Sequence, residues 1–171
     1  MYLHCSVLVN STTLMVIGGI QNDVVVSNTY YFNLDQTKWN VGPVLKNTRK
    51  QQSCGRIRKD SSSPELSLIV AGGSSGAAWL SSVEILDQAS NVWRAGPQLP
   101  FGISASKMVE DSNGGVILVG GTSDLNLFED FLYQLPHGGA GAVWIRMEQK
   151  LKIRRFFHVA FLVPDTLVDC L

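Results

Sequence analysis

The stretch Leu68-Ile69-Val70-Ala71-Gly72-Gly73 decides the fold, because the chain contains two close copies of it. The copies are Leu14-Met15-Val16-Ile17-Gly18-Gly19 and Val116-Ile117-Leu118-Val119-Gly120-Gly121, and the three glycine pairs are spaced by 54 and 48 residues. Self-similarity at a period of about 50 residues is the sequence signature of a repeat architecture. The chain is therefore predicted to consist of repeated units.

Two further landmarks accompany each glycine pair: an apolar residue twelve positions after the second glycine and a tryptophan 20 to 23 positions after it. These residues are Tyr31, Ile85 and Tyr133 for the first landmark and Trp39, Trp93 and Trp144 for the second. The third unit is three residues longer before its tryptophan. We place this insertion in the glycine-rich turn 137–141, where it lengthens only a loop. A Gly-Pro follows the first two tryptophans, as Gly42-Pro43 and Gly96-Pro97.

Each unit contains four short runs rich in Val, Ile, Leu, Tyr and Trp, separated by turn residues, which predicts four-stranded antiparallel meanders. The predicted strands are 5–10, 13–18, 28–34 and 38–41 in unit one, 52–58, 67–71, 82–86 and 92–95 in unit two, and 104–110, 115–119, 131–135 and 143–147 in unit three. The run 155–163 is predicted to be the first strand of a fourth unit. The unit boundaries are roughly 1–47, 48–101, 102–152 and 153–171.

A glycine pair that closes a strand, followed by a tyrosine and then a tryptophan, resembles the kelch repeat, although unit two has Ile85 in place of the tyrosine. The resemblance covers nearly the whole chain. WD40 repeats are the nearest alternative, but they have a period of about 40 to 45 residues and a Trp-Asp dipeptide, and no tryptophan here precedes an aspartate. The resemblance implies an all-β fold, an incomplete kelch-type β-propeller of about three four-stranded blades plus one strand over 1–171. We expect this chain to be a piece of a longer ring; self-association is the alternative.

The landmark residues are interpreted as structural. Glycine pairs allow a sharp turn close to a neighbouring blade, and aromatic residues supply packing area between sheets. The structural positions are Gly18, Gly19, Tyr31, Trp39, Gly72, Gly73, Ile85, Trp93, Gly120, Gly121, Tyr133 and Trp144.

Composition limits the possible partners. The 171 residues include 14 Lys and Arg against 14 Asp and Glu, and only 16% of the residues are charged. This balance gives no electrostatic reason to expect a nucleic-acid partner. No apolar run approaches the ~18 residues that a membrane span needs, so no membrane partner is expected.

The cysteines and the first residues favour a cytoplasmic location. Cys5, Cys54 and Cys170 form no short-range pair that would indicate a disulfide framework or a zinc site. Cys5 and Cys54 are predicted at equivalent places in adjacent units, as small core residues. The N-terminal stretch lacks the features of a secretory signal. The triplet Asn10-Ser11-Thr12 matches the N-glycosylation acceptor pattern, but without a signal we interpret it as a chance match.

No motif of a catalytic, cofactor or metal site occurs, so we expect no enzymatic activity and no cofactor. His4 and His158 fall at equivalent places in first strands and are interpreted as packed histidines. The alternative is a fragment of a propeller enzyme, such as a kelch-like oxidase or a sugar-modifying enzyme. It would use polar residues of the first strands, which are Ser53, Arg56, Ser104, Ser106, Lys107, Glu110, Arg155 and His158.

The predicted function is protein–protein interaction. Rigid blades that present variable loops suit recognition of a partner. The residues predicted to bind the partner, through an acidic motif, are Arg49, Lys50, Trp79, Arg154 and Arg155. The kelch resemblance further implies a role as the substrate-recognition part of a ubiquitin-ligase adaptor.

Overall fold

The computed structural model describes residues 1–124 and 128–163, and every regular element among them is a β-strand. In chain order the strands are β1 (Cys5–Asn10), β2 (Thr13–Ile17), β3 (Ile20–Gln21), β4 (Val24–Val25), β5 (Thr29–Asn33), β6 (Lys38–Val41), β7 (Ser53–Arg58), β8 (Leu66–Ala71), β9 (Val83–Asp87), β10 (Val92–Ala95), β11 (Ile103–Ser104), β12 (Lys107–Glu110), β13 (Val116–Val119), β14 (Thr122–Ser123), β15 (Phe131–Leu135) and β16 (Ile145–Lys150).

Three of the sheets are four-stranded antiparallel meanders, one for each predicted unit. Their strand orders are β1-β2-β5-β6, β7-β8-β9-β10 and β12-β13-β15-β16, which we call blades 1, 2 and 3. The first strand of blade 2 contacts the first strands of both neighbouring blades. The blades are therefore stacked side by side, with their first strands meeting along a common inner side, and the predicted propeller architecture is confirmed.

The hydrophobic core lies between the blades. Between blades 1 and 2, Met15 and Ile17 pack with Leu68, Val70 and Trp93. Between blades 2 and 3, the other face of the middle sheet packs on blade 3, and the cluster there includes Ile57, Ile69, Val83, Val116, Leu118 and Leu135. Both faces of the middle blade are buried, which explains its nearly continuous apolar strand Leu66–Ala71.

The glycine pairs bring the blades close together. Gly72 and Gly73 have φ values of +65° and +92°, which favour glycine. The amide of Gly73 donates to the carbonyl of Ile103 in the next unit at 2.7 Å, and a Cβ on Gly72 would lie 2.5 Å from that same oxygen. The other two pairs make the same contact, with the carbonyls of Arg49 and Arg155.

The tryptophan landmarks of blades 2 and 3 each reach back to the preceding blade. The indole Nε1 of Trp93 donates to the carbonyl of Pro43 at 3.0 Å, and that of Trp144 donates to Pro97 at 2.9 Å. The Gly-Pro of one unit therefore receives the tryptophan of the next. Trp39 lies in blade 1, with no described blade before it, and it is 56% exposed.

The predicted strand 104–110 is interrupted at Ala105. This residue has a φ of 55°, and its amide donates to the carbonyl of Gln51 at 2.9 Å. Gln51 and Phe157 also have positive φ and donate in the same way to Leu3 and to Ala105. A chain of hydrogen bonds thus runs from unit to unit along the inner side.

The predicted strand at 155–163 is not formed. A first strand needs the second strand of its own blade as a ladder partner, and the described residues contain no such strand after position 150. The start of this segment nevertheless occupies the expected place, because Phe157 donates to Ala105 at 3.0 Å.

The interpretation of Cys5 and Cys54 as separate core thiols is wrong, because they form a disulfide with a Cα–Cα distance of 6.0 Å. They are not at equivalent places. In the antiparallel strand ladders, Cys5 lies opposite Ile17, which is one residue before Gly18. Cys54 lies opposite Val70, which is two residues before Gly72. Since successive side chains of a strand point to opposite faces, this offset of one residue places the two thiols on the facing sides of blades 1 and 2. Cys170 lies outside the described residues.

Candidate functional site

One end of the blade stack carries a short three-row ladder, which we call the ladder end. In each unit, the residue directly after the glycine pair forms two antiparallel β-bridges. One bridge is to a residue that precedes the long first strand of the same blade, and the other is to a residue of the loop that leads to the third strand. The rows are Tyr2–Ile20–Val25, Lys50–Ser74–Trp79 and Ser104–Thr122–Phe128. Side chains that are directly opposite in such a ladder lie side by side on one face.

The middle row joins two residues that the sequence predicted as partner-binding. The amide of Lys50 donates to the carbonyl of Ser74 at 2.9 Å, and the reverse bond is 2.8 Å. Ser74 bridges in turn to Trp79. Both Lys50 and Trp79 are half-buried. The fold therefore places a cation and an aromatic ring on either side of a buried serine, and no local sequence signal identifies that serine.

The assignment of Arg49 to the partner-binding surface is wrong, because its side chain is fully buried between blades 1 and 2. Its Nη2 lies 2.7 Å from Oε1 of Glu84, and its Nη1 donates to the carbonyl of Gly72 at 2.8 Å. Burial lowers the pKa of the Arg49 guanidinium, and Glu84 opposes that shift. Glu84 also accepts the backbone amides of Lys46 and Asn47. Arg49 thus joins two blades.

Arg154 and Arg155 are exposed but lie one blade away from the middle row. Arg154 is 3.9 Å from Asp130. Arg155 takes the place of Arg49 in the repeat, since its carbonyl accepts the amide of Gly121 as that of Arg49 accepts the amide of Gly19. The structure therefore does not bring these two arginines together with Lys50 and Trp79.

Four of the polar residues predicted on the first strands form two pairs. The hydroxyls of Ser53 and Ser106 are 2.9 Å apart. Arg56 Nε and Nη2 each donate to the Glu110 carboxylate at 2.9 Å. The carboxylate of Glu110 is therefore paired with the guanidinium of Arg56.

His158 lies beside this inner side without a hydrogen-bond partner for either ring nitrogen among the described residues. Burial lowers the pKa of its imidazole, and the positive charges of Arg155 and Lys107 lower it further. His4, the equivalent residue of blade 1, is exposed, but partial desolvation and then the positive charge of the N-terminus lower the pKa of its imidazole.

A cavity of about 600 Å³ opens at the end opposite to the ladder end, between blades 2 and 3. Its walls come from the long loop after β7 and from the glycine-rich insertion of unit three, which meet where Gly138 donates to the carbonyl of Arg58 at 2.8 Å. The ion pairs on its rim are internal: Arg94 with Asp87 at 2.8 Å and Lys59 with Glu65 at 3.6 Å. The turn 137–141 was predicted only as a lengthened loop, and the cavity that it helps to enclose was not predicted.

Residues 1–124 and 128–163 contain no group of three or more His, Cys, Asp or Glu side chains arranged to hold a metal ion. Nor do they contain a helix with the length and apolar character needed to cross a membrane.

Comparisons with known proteins agree with this geometry. The family described as "Kelch motif" matches residues 67–100, which run from β8 through β10. A solved structure described as "Structure of YjhT" superposes with a TM-score of 0.68 at 12% sequence identity, over 88% of this chain and 52% of that one. The chain thus spans about half the length of the structure that it matches. None of the curated proteins matches it. The matched motif and the shared fold confirm the predicted resemblance: the chain carries a kelch motif at residues 67–100 and folds as an incomplete kelch-type β-propeller of three blades.

Proposed function

We propose that this chain is a non-catalytic protein-interaction module that binds an acidic segment of a partner at the ladder end. The observation that carries the proposal is the middle row, in which Lys50 and Trp79 lie on either side of Ser74. Kelch repeats generally mediate protein–protein interactions, and this row offers both a charge and an aromatic anchor.

The ladder end suits recognition because its backbone is repeated while its side chains vary. The residue ahead of the first strand is Tyr2, Lys50 or Ser104, and the loop residue is Val25, Trp79 or Phe128. A constant scaffold that presents different side chains is the usual arrangement of a binding surface. Only the middle row combines a cation with an indole.

The chemistry of the row favours a carboxylate next to an apolar side chain. An ammonium group attracts a carboxylate as a point charge, and tryptophan is among the residues that dominate binding energy at interfaces. The interaction is expected to weaken with salt, because charges this close to solvent are screened.

The absence of catalysis is part of the proposal and is supported by the inner side of the stack. A catalytic acid or base must be free to exchange a proton with substrate. Arg56 and Glu110 instead hold each other by two hydrogen bonds of 2.9 Å, between Nε and Oε1 and between Nη2 and Oε2.

The proposal does not extend to a ubiquitin-ligase adaptor in the cytoplasm. That role follows only from the kelch resemblance. The Cys5–Cys54 disulfide favours an oxidising compartment instead, since disulfides rarely persist in the cytosol.

A peptide array tests the proposal. The purified chain is applied to acidic peptides that contain one aromatic or aliphatic residue and to matched peptides with Gln and Asn in place of Glu and Asp. We expect retention on the acidic set only. Lys50→Glu should reverse the preference, and Trp79→Ala should weaken binding by about 30-fold, the effect of a typical hot-spot residue.

Lys59→Glu is the matched control, because Lys59 is an exposed lysine of the opposite end. Its binding should equal that of the unchanged chain. The proposal is wrong if Lys50→Glu and Lys59→Glu have the same effect, or if the acidic and amide peptides are retained equally.

A further inference from the structure

Asn10 occupies the tip of the β1–β2 hairpin, at the end of blade 1 opposite to the ladder end. Strand β1 starts near Tyr2, which belongs to the ladder, and finishes at Asn10. Asn10 and Ser11 are exposed. The triplet Asn10-Ser11-Thr12 is the only place in the sequence where Asn is followed two residues later by Ser or Thr. This is the acceptor pattern for N-linked glycans, which are carried on surface loops of secreted proteins.

The local geometry leaves the acceptor nitrogen available. The side-chain Oδ1 of Asn10 accepts the amide of Thr12 at 2.9 Å and its hydroxyl at 3.3 Å. Both bonds use the carboxamide oxygen. Its Nδ2 has no hydrogen-bond partner in the described part of the chain, so this nitrogen faces solvent from an exposed turn.

The disulfide is a second and independent observation. Cys5 and Cys54 are bonded to each other across blades 1 and 2. Structural disulfides form in the secretory route and outside the cell, and they are rare in the cytosol. The compartment that oxidises these thiols is also the one that transfers N-linked glycans.

We infer that Asn10 is an N-glycosylation site and that the protein folds in the oxidising compartment of the secretory route. The inference does not depend on the proposed function, and it replaces the cytoplasmic location expected from the sequence.

The reaction requires a polyprenyl-pyrophosphate-linked oligosaccharide and its transferase. Nδ2 of Asn10 forms a bond to the anomeric carbon of the sugar, and the bond from that carbon to the pyrophosphate oxygen breaks. The electron pair leaves with the polyprenyl pyrophosphate, and the Nδ2 proton passes to a base of the transferase. No oxidation or reduction takes place.

A glycan on Asn10 would leave the proposed binding surface free. The tips of the β1–β2 and β7–β8 hairpins lie near positions 10 and 60. The row Lys50–Ser74–Trp79 lies near the other ends of β1 and β7, so both tips point away from it. The bulky, hydrated sugar would extend from the end that lacks the ladder.

Peptide mass spectrometry of the native protein tests the inference. Protein isolated from the cells that make it is treated with peptide N-glycosidase in heavy-oxygen water, which converts a glycosylated asparagine to labelled aspartate. We expect the label at Asn10, and alkylation before reduction should leave Cys5 and Cys54 unmodified. Unlabelled Asn10 in the native protein, or alkylated Cys5 and Cys54, would overturn the inference.

A set of variants separates acceptor chemistry from folding. The full chain, directed into the endoplasmic reticulum of a eukaryotic host, should show one glycosidase-sensitive mobility shift. Asn10→Asp keeps the oxygen that accepts Thr12 but removes the acceptor nitrogen, so the shift should disappear while the chain still folds. Thr12→Ser should keep the shift and Thr12→Ala should lose it. A shift that persists in Asn10→Asp, or no shift in the unchanged chain, would contradict the assignment.

Discussion

The indole of Trp93 contributes both packing and a hydrogen bond across a blade interface. It is 1% exposed and donates to Pro43 at 3.0 Å. We expect Trp93→Ala to lower the free energy of unfolding by about 3–5 kcal/mol, and Trp93→Phe to lower it by about 1–2 kcal/mol through the lost hydrogen bond. Urea denaturation followed by circular dichroism measures both values.

Trp39 is the matched control for this prediction, because it takes the same place in blade 1 but is 56% exposed. Trp39→Ala should cost less than about 1 kcal/mol, as surface substitutions generally do. Equal losses for Trp39→Ala and Trp93→Ala would mean that the tryptophans do not act between blades.

The lowered pKa values of His4 and His158 predict a loss of stability in mild acid. The folded-state pKa of His4 and of His158 lies below the ordinary value of 6.5. The unfolded chain therefore binds more protons than the folded chain as the pH falls below that value, so stability is highest above it and decreases in acid. The pKa values of Asp60 and Asp87 are also lowered, and these groups titrate at more acidic pH.

Unfolding midpoints measured between about pH 7.5 and about pH 5.5 check this dependence. The double variant His4→Gln, His158→Gln should show a flatter profile than the unchanged chain. If the two profiles coincide, groups other than these histidines are responsible for the acid sensitivity.

At the scale of the element, the glycine pair that ends the second strand fixes the distance between blades. Gly72→Ala combines a positive φ with a Cβ placed 2.5 Å from the carbonyl oxygen of Ile103. Gly141→Ala provides the control, since Gly141 has a φ of +77° and nothing within 4 Å of its Cβ position.

We expect Gly141→Ala to cost about 1–2 kcal/mol from backbone conformation alone, and Gly72→Ala to cost at least about 2 kcal/mol more. Denaturant titration of both variants gives the comparison. Similar losses would show that the close approach of the blades does not depend on the missing Cβ.

The strands could be predicted from the sequence because three landmarks recur at nearly constant offsets. The break at Ala105 could not. Its positive φ is imposed by a hydrogen bond to Gln51 in the neighbouring blade, and the equivalent residues Leu3, Gln51 and Phe157 share no side-chain property that would signal it. The strand predicted at 155–163 does not form for a related reason, because a first strand depends on hydrogen bonds to the second strand of its own blade.

The candidate site was predicted only in part. Lys50 and Trp79 could be predicted as site residues because the loops that contain them face the same end of the stack. The burial of Arg49 could not be predicted, because its charge is the same as that of the lysines around it. The signal for its burial is Glu84, a lone carboxylate in the apolar run Val83-Glu84-Ile85-Leu86 that lies in a different part of the sequence. The disulfide was missed because the two cysteines were aligned one residue out of register.

At the scale of the whole molecule, the disulfide between Cys5 and Cys54 links the first two blades across 49 residues of sequence. Closing such a loop stabilises mainly by restricting the unfolded chain. Reduction should therefore lower the free energy of unfolding by about 2–4 kcal/mol. Urea titrations with and without dithiothreitol measure the difference.

The double variant Cys5→Ser, Cys54→Ser is the control for reduction. It should match the reduced chain in stability and should not respond to dithiothreitol. An unchanged chain that is also insensitive to the reductant, with both thiols free to alkylation, would show that the bond does not form.

In the proposed function, the blades hold the middle row Lys50–Ser74–Trp79 in place as the partner-binding surface. The most direct test is a backbone-amide NMR titration of the full chain with an acidic, aromatic-containing peptide. The largest shift changes are predicted at Lys50, Ser74 and Trp79, with little change in the loop 59–65 or the turn 137–141 at the opposite end. Shift changes centred on those two segments, or on Arg56 and Glu110 along the inner side, would contradict the account.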